Sequence, residues 1–256
     1  MKDGFVALLD VLGFSNLVLD SGEEGIQRYL ACLQNATGHT EVNFVVFSDS
    51  IVLSAKGDSP DSFIAVAGAC SRLLNDLLRV GIALRGAISY GSFIREAFGE
   101  SVFVAGRAVI DAYQFEQAQD WVGIMVSPSA LARVKDLETR CYLDGNLHSL
   151  GGHLIDLLAR IGWAGLIQPY RSIPFHSPNP LDPQTFDGFA VVPTTRELTP
   201  AALHDCVGVA RDRLKWLRAV APSPSAQRKF QQTDLWLNYI QASWLQIKRS
   251  LEQTNS

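Results

Sequence analysis

The chain has 256 residues, of which 47% are hydrophobic and 19% are charged. This composition is typical of a globular protein with a substantial core, and it excludes a disordered or fibrous chain. The formal net charge is −4, from 22 Lys and Arg against 26 Asp and Glu. A general nucleic-acid binder is therefore not expected, because binding by counterion release requires a basic surface.

Targeting and redox signals point to a cytoplasmic protein. No apolar run approaches the roughly 18 residues that a spanning helix needs, and the first residues lack the apolar stretch of a signal peptide. The sequence contains four scattered cysteines without CxxC or zinc spacing, namely Cys32, Cys70, Cys141 and Cys206. They are predicted to be buried and reduced. We therefore expect neither a membrane nor a nucleic acid as partner.

The first half of the chain predicts alternating strands and helices. In chain order these are a strand at 5–12, a helix at about 23–36, a hairpin of 41–47 and 50–55, a helix at 59–79, strands at 82–90 and near 101–105, a helix at 107–118 and a strand at 123–127. Ser59 and Pro60 provide the N-cap and first turn of the second helix. The order mixes hairpins with helical crossovers, which favours an α+β fold: a mixed sheet with helices packed on one face.

The second part of the chain differs in character. Five prolines between residues 169 and 185 predict a loop there. A strand near 186–193 follows, and then two helices at about 199–218 and 225–252. We expect a core domain over residues 1–145 and a C-terminal extension, 146–256, that packs on it.

Two aspartates are the strongest candidates for chemistry. Asp10 lies within an apolar strand, where an isolated carboxylate is costly, and Asp49 lies at the tip of the predicted hairpin. If that hairpin pairs with the first strand, both carboxylates reach the same edge of the sheet. Hard oxygen ligands of this kind suit Mg²⁺ or Mn²⁺. From the residues alone, a satisfied strand-end aspartate and an ordinary turn aspartate remain the alternatives.

Four segments in order resemble the motifs of the class III nucleotidyl cyclase catalytic domain. They are FVALLDVLGF at 5–14, FSDS at 47–50, LRGAISYG at 84–91 and GRAVIDAYQFE at 106–116. The resemblance covers about residues 4–127 and is greatest to the bacterial pyrimidine (uridylate and cytidylate) cyclases of anti-phage signalling. It implies a ferredoxin-like core and a homodimer whose active sites lie at the subunit interface.

The resemblance also implies roles for individual residues. Asp10, Asp49 and the backbone carbonyl of Val11 would bind two Mn²⁺ or Mg²⁺ ions. The turn that contains Phe14 would offer N–H groups to the triphosphate. The base-reading positions of purine cyclases fall on Val45 and Phe103, whose apolar side chains favour a pyrimidine substrate.

The two transition-state residues of the family are replaced here by Ile110 and Gln114, which cannot do the same work. Nearby donors are Arg85, Arg95, Arg107 and Tyr113. Arg85 is the leading candidate for substrate contact, although a structural arginine on a strand is equally consistent with its position. In the basic, aromatic-rich stretch over 211–249 we expect amphipathic helices that dock on the core. Contact of Arg228 or Lys229 with the triphosphate is a further option.

The function expected from these features is cyclisation of a pyrimidine nucleoside triphosphate to its 3′,5′-cyclic monophosphate and pyrophosphate. UTP is favoured and CTP is next, and the product would be a second messenger in anti-phage defence. Two alternatives stay open. One is an adenylate or guanylate cyclase with atypical base contacts. The other is a catalytically silent, cyclase-like module that binds a nucleotide or a partner.

Overall fold

A computed structural model of the chain describes residues 1–38, 42–134, 167–176, 184–195 and 200–254. Within these ranges the elements are β1 (Lys2–Leu12), α1 (Phe14–Thr37), β2 (Asn43–Phe47), β3 (Ser50–Lys56), α2 (Pro60–Arg79), β4 (Ala83–Phe98), β5 (Ser101–Gly106), α3 (Arg107–Ala118), β6 (Gly123–Val126), α4 (Pro128–Val134), β7 (Ile167–Phe175), β8 (Gln184–Val191), α5 (Pro200–Val220) and α6 (Pro224–Thr254).

One mixed sheet organises the described part of the chain. Its strand order is β2-β3-β1-β4-β6-β8-β7, and β5 pairs with β4 outside this path. The central strand β1 is antiparallel to β3 and β4, whereas β4 and β6 are parallel. The predicted α+β class with a mixed sheet is confirmed.

The two faces of the sheet are covered by different helices. Alternate residues of β1, among them Phe5 and Leu9, belong to the main core with the inner faces of α1 and α2. Val6, on the other face of β1, packs with Phe93 and with Ala108 of α3. Since side chains alternate along a strand, Asp10 projects from the α3 face.

The first helix begins earlier than its hydrophobic pattern predicts. It starts at Phe14, directly after Gly13, and has a kink at Gly22 with φ 53° and ψ −138°. The predicted helix at 23–36 corresponds to the part after this kink. Most side chains between Phe14 and Gly22 are exposed, so this part lacks the buried stripe from which a helix is recognised.

The prediction of a loop over 169–185 was wrong for its first part, because β7 extends to Phe175. Pro169 and Pro174 are paired in register with β8. A proline is tolerated there because β7 is the last strand in the order, and an edge strand need not donate every backbone hydrogen bond. Residues 177–183, which contain the other three prolines of the run, lie outside the described ranges, as does the boundary predicted at 145.

Three aromatic rings attach α6 to the sheet. The ring of Trp236 stacks on Tyr170 at 5.3 Å between centroids and meets Trp121 edge-on at 5.5 Å. Next to them, the hydroxyl of Thr233 accepts from the backbone N–H of Val122 at 3.1 Å and donates to its carbonyl at 2.7 Å. The C-terminal helix is therefore docked by both packing and hydrogen bonds.

Two expectations from composition concern membrane and redox chemistry. Among the helices of the described ranges, none is both long and apolar enough to cross a membrane. Cys32, Cys70 and Cys206 are buried free thiols. Cys141 lies outside the described residues.

Truncation of Trp236 tests how much of the stability depends on this docking. Trp236→Ala should lower the free energy of unfolding by about 3–5 kcal/mol, because it leaves a cavity between two rings. Trp216→Ala should change it by no more than about 0.5 kcal/mol, since Trp216 on α5 is 53% exposed. Urea denaturation followed by circular dichroism measures both. Equal losses for the two variants would contradict the docking described.

Candidate active site

The structure brings Asp10 and Asp49 to the same edge of the sheet. In the register of β1 and β3, Asp10 lies opposite Ser50. Asp49 precedes Ser50 in the hairpin turn, and its carbonyl accepts a hydrogen bond from the N–H of Val11 at 2.9 Å. The turn depends on Ser48, which adopts a left-handed φ of 58°. The prediction that the hairpin lies beside the first strand is confirmed.

Arg85 of β4 lies directly opposite Asp10 and links it to α3. Its Nη2 atom is 3.7 Å from Asp10 Oδ2 and 2.5 Å from Glu116 Oε1, while its Nε donates to Glu116 Oε1 at 2.7 Å. Its Nη1 donates to the carbonyl of Gln119 at 3.2 Å. The side chains of Arg85 and Glu116 are 10% and 1% exposed, so the pair is buried. Most donors of this guanidinium are therefore used within the protein.

The carboxyl group of Asp10 is in an unfavourable environment for negative charge. Burial raises its pKa above the usual range, and the charges of Glu116 and Asp49 raise it further. Arg85 and Lys229 act in the opposite direction but do not reverse the result.

This surplus of negative charge is suited to a divalent cation. Asp10 and Asp49 can each provide carboxylate oxygens, and Mg²⁺ is commonly held by one or two carboxylates together with substrate phosphates. Over the described residues, no group of three or more His, Cys, Asp or Glu side chains is arranged for metal binding. The donor set therefore fits an ion whose remaining ligands are water and phosphate, and the carbonyl of Val11 is adjacent.

The first turn of α1 lies next to the two aspartates. Gly13 joins β1 to α1 with φ 74°, and no side chain caps the helix. The N–H groups of Asn16 and Leu17 donate to the carbonyl of Gly13, so those of Phe14 and Ser15 are the ones left for an anion. The ring of Phe14 packs against the ring of Tyr29 at 5.6 Å between centroids, and this contact helps to position the start of α1.

Tyr29 was not predicted as part of the site. Its hydroxyl is buried, and no hydrogen-bond partner for it is found among the described residues. Burial raises its pKa, and the charge of Asp49 adds to this effect. The phenol therefore remains neutral at physiological pH.

The two predicted base-reading residues lie far apart within one subunit. Val45 pairs with Val52, which pairs with Leu8, so it is close to the level of Asp10. Phe103 pairs with Glu96 near the far end of β4. Glu96 is eleven positions after Arg85 on β4, which corresponds to about 35 Å of strand. The structure does not bring Phe103 to the aspartates of the same subunit.

One face of α3 is uncovered in the single subunit. Ile110, Tyr113 and Gln114 are exposed, as is Arg107 at the start of the helix. The Nε atom of Arg95 is buried, and no described residue accepts a hydrogen bond from it. None of these side chains reaches Asp10 or Asp49 through a contact within the described subunit.

Besides Tyr29, three further residues of the site were not predicted from the sequence. They are Glu116 in the last turn of α3, and Gln119 and Asp120 directly after the helix. Their signal is weak, because a glutamate in an amphipathic helix is ordinarily solvent-exposed. Only the apolar surroundings of Arg85 in β4 hint that a buried partner of opposite charge is required.

The chain matches no known protein family and none of the curated proteins. It is similar to the solved structure of the adenylyl cyclase CyaB from P. aeruginosa, with 15% identity, a TM-score of 0.47 and coverage of 77% of this chain and 97% of that one. Adenylate cyclases from Trypanosoma brucei in their monomeric state give 11% identity, a TM-score of 0.46 and coverages of 75% and 89%. The guanylyl cyclase Cya2 gives 12%, 0.40, 75% and 92%. Likeness at this level carries no conclusion about activity or substrate.

Substitution of Asp10 by Asn separates stability from metal binding. Because its pKa is raised on folding, the charged carboxylate opposes folding above that pKa, and the effect disappears as pH falls through it. At pH 7 without metal, Asp10→Asn should therefore be at least as stable as the wild type. Mn²⁺ at about 100 times its Kd should stabilise only the wild type, by about 2.7 kcal/mol.

Differential scanning calorimetry with and without Mn²⁺ measures both effects. Equal stabilisation of Asp10→Asn and wild type by Mn²⁺ would remove Asp10 from the metal site.

Proposed function

We propose that this protein is a nucleotide cyclase that converts a pyrimidine nucleoside triphosphate, UTP in preference to CTP, into its 3′,5′-cyclic monophosphate. The observation that carries the proposal is the placement of Asp10 and Asp49 together beside the uncapped first turn of α1. A carboxylate pair and a helix N-terminus are what a metal–triphosphate complex requires.

The reaction is an internal displacement. The ribose 3′-hydroxyl oxygen bonds to the α-phosphorus, while the bond between that phosphorus and the oxygen that bridges the α- and β-phosphates breaks. Pyrophosphate leaves, and the hydroxyl proton is released to solvent. Bound Mn²⁺ or Mg²⁺, up to two ions per site, would lower the pKa of the hydroxyl and neutralise phosphate charge.

The protein residues contribute mainly by positioning. Asp10 and Asp49, with the carbonyl of Val11, would hold the cation, and the N–H groups around Phe14 would hold phosphate oxygens. Arg85 keeps Asp10 in place through its contacts with Glu116. Because these contacts occupy the guanidinium, we assign Arg85 a positioning role rather than the substrate contact expected from the sequence.

A homodimer would complete the site. Phe103 cannot reach the aspartates of its own subunit, whereas a head-to-tail partner can place it there. The surfaces concerned expose large apolar side chains, namely Phe44, Phe47, Phe98, Phe103, Ile110 and Tyr113. Aromatic side chains are enriched at protein–protein interfaces, so these exposed rings support a partner subunit on these surfaces.

Substrate preference rests on the chemistry of Val45 and Phe103. Neither can donate or accept the hydrogen bonds by which a purine edge is read, while an aromatic ring can stack on a small base. With the resemblance of the four motifs, this supports UTP or CTP as substrate and a role of the product in anti-phage signalling. A purine cyclase with other base contacts is the alternative within this class.

A silent nucleotide-binding module is the alternative from a different class. The observation that favours it is the lack of a transition-state donor at Ile110 and Gln114, which are exposed and unsuited to stabilise phosphate charge. The presence of both aspartates favours the enzyme.

Incubation with each of the four ribonucleoside triphosphates and Mn²⁺ tests the activity. We expect a cyclic pyrimidine monophosphate and pyrophosphate, identified by mass spectrometry. Asp49→Asn should lower kcat at least 100-fold, because the cation loses one of two carboxylates. Asp20→Asn, at an exposed position of α1, is the matched control and should retain full activity. Absence of cyclic product with all four nucleotides would refute the enzyme and leave the silent module.

Charge placed at Phe103 tests the shared site. Phe103→Glu should shift the protein from dimer to monomer and abolish activity in parallel, because a carboxylate would be buried at the interface. Leu235→Glu on α6 is the control, since Leu235 is exposed to a similar degree, 55% against 52%. Sedimentation velocity and product formation are the two readouts. A fully active, dimeric Phe103→Glu variant would exclude this surface.

A further inference from the structure

Three basic side chains, two of them permanent cations, surround Asp120 in the segment that follows α3. Lys229 Nζ is 3.4 Å from Asp120 Oδ1, and Arg228 Nη2 is 3.3 Å from Oδ2. His176 Nδ1, after β7, is 3.6 Å from Oδ1. Both Arg228 and Lys229 belong to α6, in the part of the chain beyond the cyclase-like motifs.

The single carboxylate does not satisfy these cations. Two permanent positive charges face one negative charge, so the cluster has a positive surplus in a chain whose net charge is −4. Asp120 Oδ1 is buried, and no donor in the described ranges makes a hydrogen bond to it. The ion pairs are long compared with a charge-assisted hydrogen bond of about 2.7–2.9 Å. The cations are thus placed together but held loosely.

This cluster is adjacent to the aspartate site. Gln119, one residue before Asp120, accepts a hydrogen bond from Arg85, and Arg85 pairs with Asp10. Arg85 therefore joins the segment that carries Asp120 to the carboxylate that would hold the cation.

The position of Lys229 is well determined by the packing of α6. Its backbone carbonyl lies 3.1 Å from the hydroxyl oxygen of Thr233, whose single proton is shared with the closer carbonyl of Val122 at 2.7 Å. The Asp120 backbone is likewise anchored, because its N–H donates to the carbonyl of Pro174 at 2.8 Å. The side chain of Lys229 is only 20% exposed, whereas that of Arg228 is 58% exposed. Lys229 is therefore a fixed cation, and Arg228 is free to move towards a ligand.

We propose that Lys229 and Arg228 bind the polyphosphate of the substrate and that Asp120 holds them while the site is empty. The identity of the substrate as a nucleoside triphosphate rests on the function proposed above, but the anion site stands on its own contacts. Phosphate oxygens outcompete one carboxylate because each phosphoryl group carries several strong acceptors. The C-terminal helix then completes the site instead of merely covering the core.

The competing explanation is a salt bridge that only holds α6 on the sheet. The two explanations predict opposite effects of the removal of Asp120 on the affinity for an anion. If Asp120 competes with phosphate for the cations, its removal strengthens anion binding. If the ion pairs only hold α6 on the sheet, loss of either partner loosens α6 and leaves anion binding unchanged or weaker.

Calorimetric titration with inorganic tripolyphosphate in excess Mg²⁺ tests this directly on the full chain. Lys229→Gln should weaken binding about 10- to 100-fold, and Asp120→Asn should strengthen it roughly two- to fivefold. Lys215→Gln is the control, because Lys215 pairs with Asp212 on the exposed side of α5 and should have no effect. Lys229→Arg, which retains the charge, should bind within a few-fold of the wild type and also serves if Lys229→Gln does not fold.

The outcomes separate this inference from the proposed activity. Binding that depends on Lys229, in a protein that forms no cyclic nucleotide, would support the anion site and refute the cyclase. Cyclic product with unchanged tripolyphosphate affinity in Lys229→Gln would refute the anion site alone. Weaker binding in Asp120→Asn would show a structural salt bridge and overturn the proposal, and so would a wild type that does not bind tripolyphosphate.

Discussion

The arrangement of the site depends on one buried arginine. Arg85 lies between Asp10 on β1 and Glu116 on α3, two acids that would otherwise repel each other in a poorly solvated place. Removal of either Arg85 or Glu116, the buried pair, should cost about 3–5 kcal/mol, because the other charge is then left buried and unpaired. The same guanidinium binds the carbonyl of Gln119 and so fixes the segment that leads to Asp120. A single side chain thus aligns the central strands, α3 and the segment on which α6 docks.

This arrangement separates two kinds of positive charge. Arg85 bridges Asp10 and Glu116 and donates to the carbonyl of Gln119, so its charge is not available to bind a ligand. Within the described part of the chain, the acidic partner of Lys229 and Arg228 is the loosely paired Asp120. An overall acidic protein can bind a polyphosphate by such local means, since field strength at short range is set by neighbouring charges rather than by net charge.

The sequence predicted those features whose cause is local, and it failed where the cause is tertiary. The 41–47 and 50–55 hairpin and the α+β class follow from apolar periodicity and turn residues, and they placed Asp10 and Asp49 correctly at one edge. β7 was missed because prolines normally break strands, and only its position at the edge of the sheet makes them tolerable. The partnerships of Arg85 with Glu116 and of Asp120 with Lys229 join residues 31 and 109 positions apart, and no local pattern encodes them.

The central claim is that Asp10 and Asp49 together hold a divalent cation. Its most direct test is a crystal structure of the protein soaked with Mn²⁺ and a non-hydrolysable pyrimidine nucleotide, with data collected at the Mn absorption edge. The account predicts an anomalous peak within coordination distance of both carboxylates. A peak at another site, with these two aspartates free of metal, would contradict it.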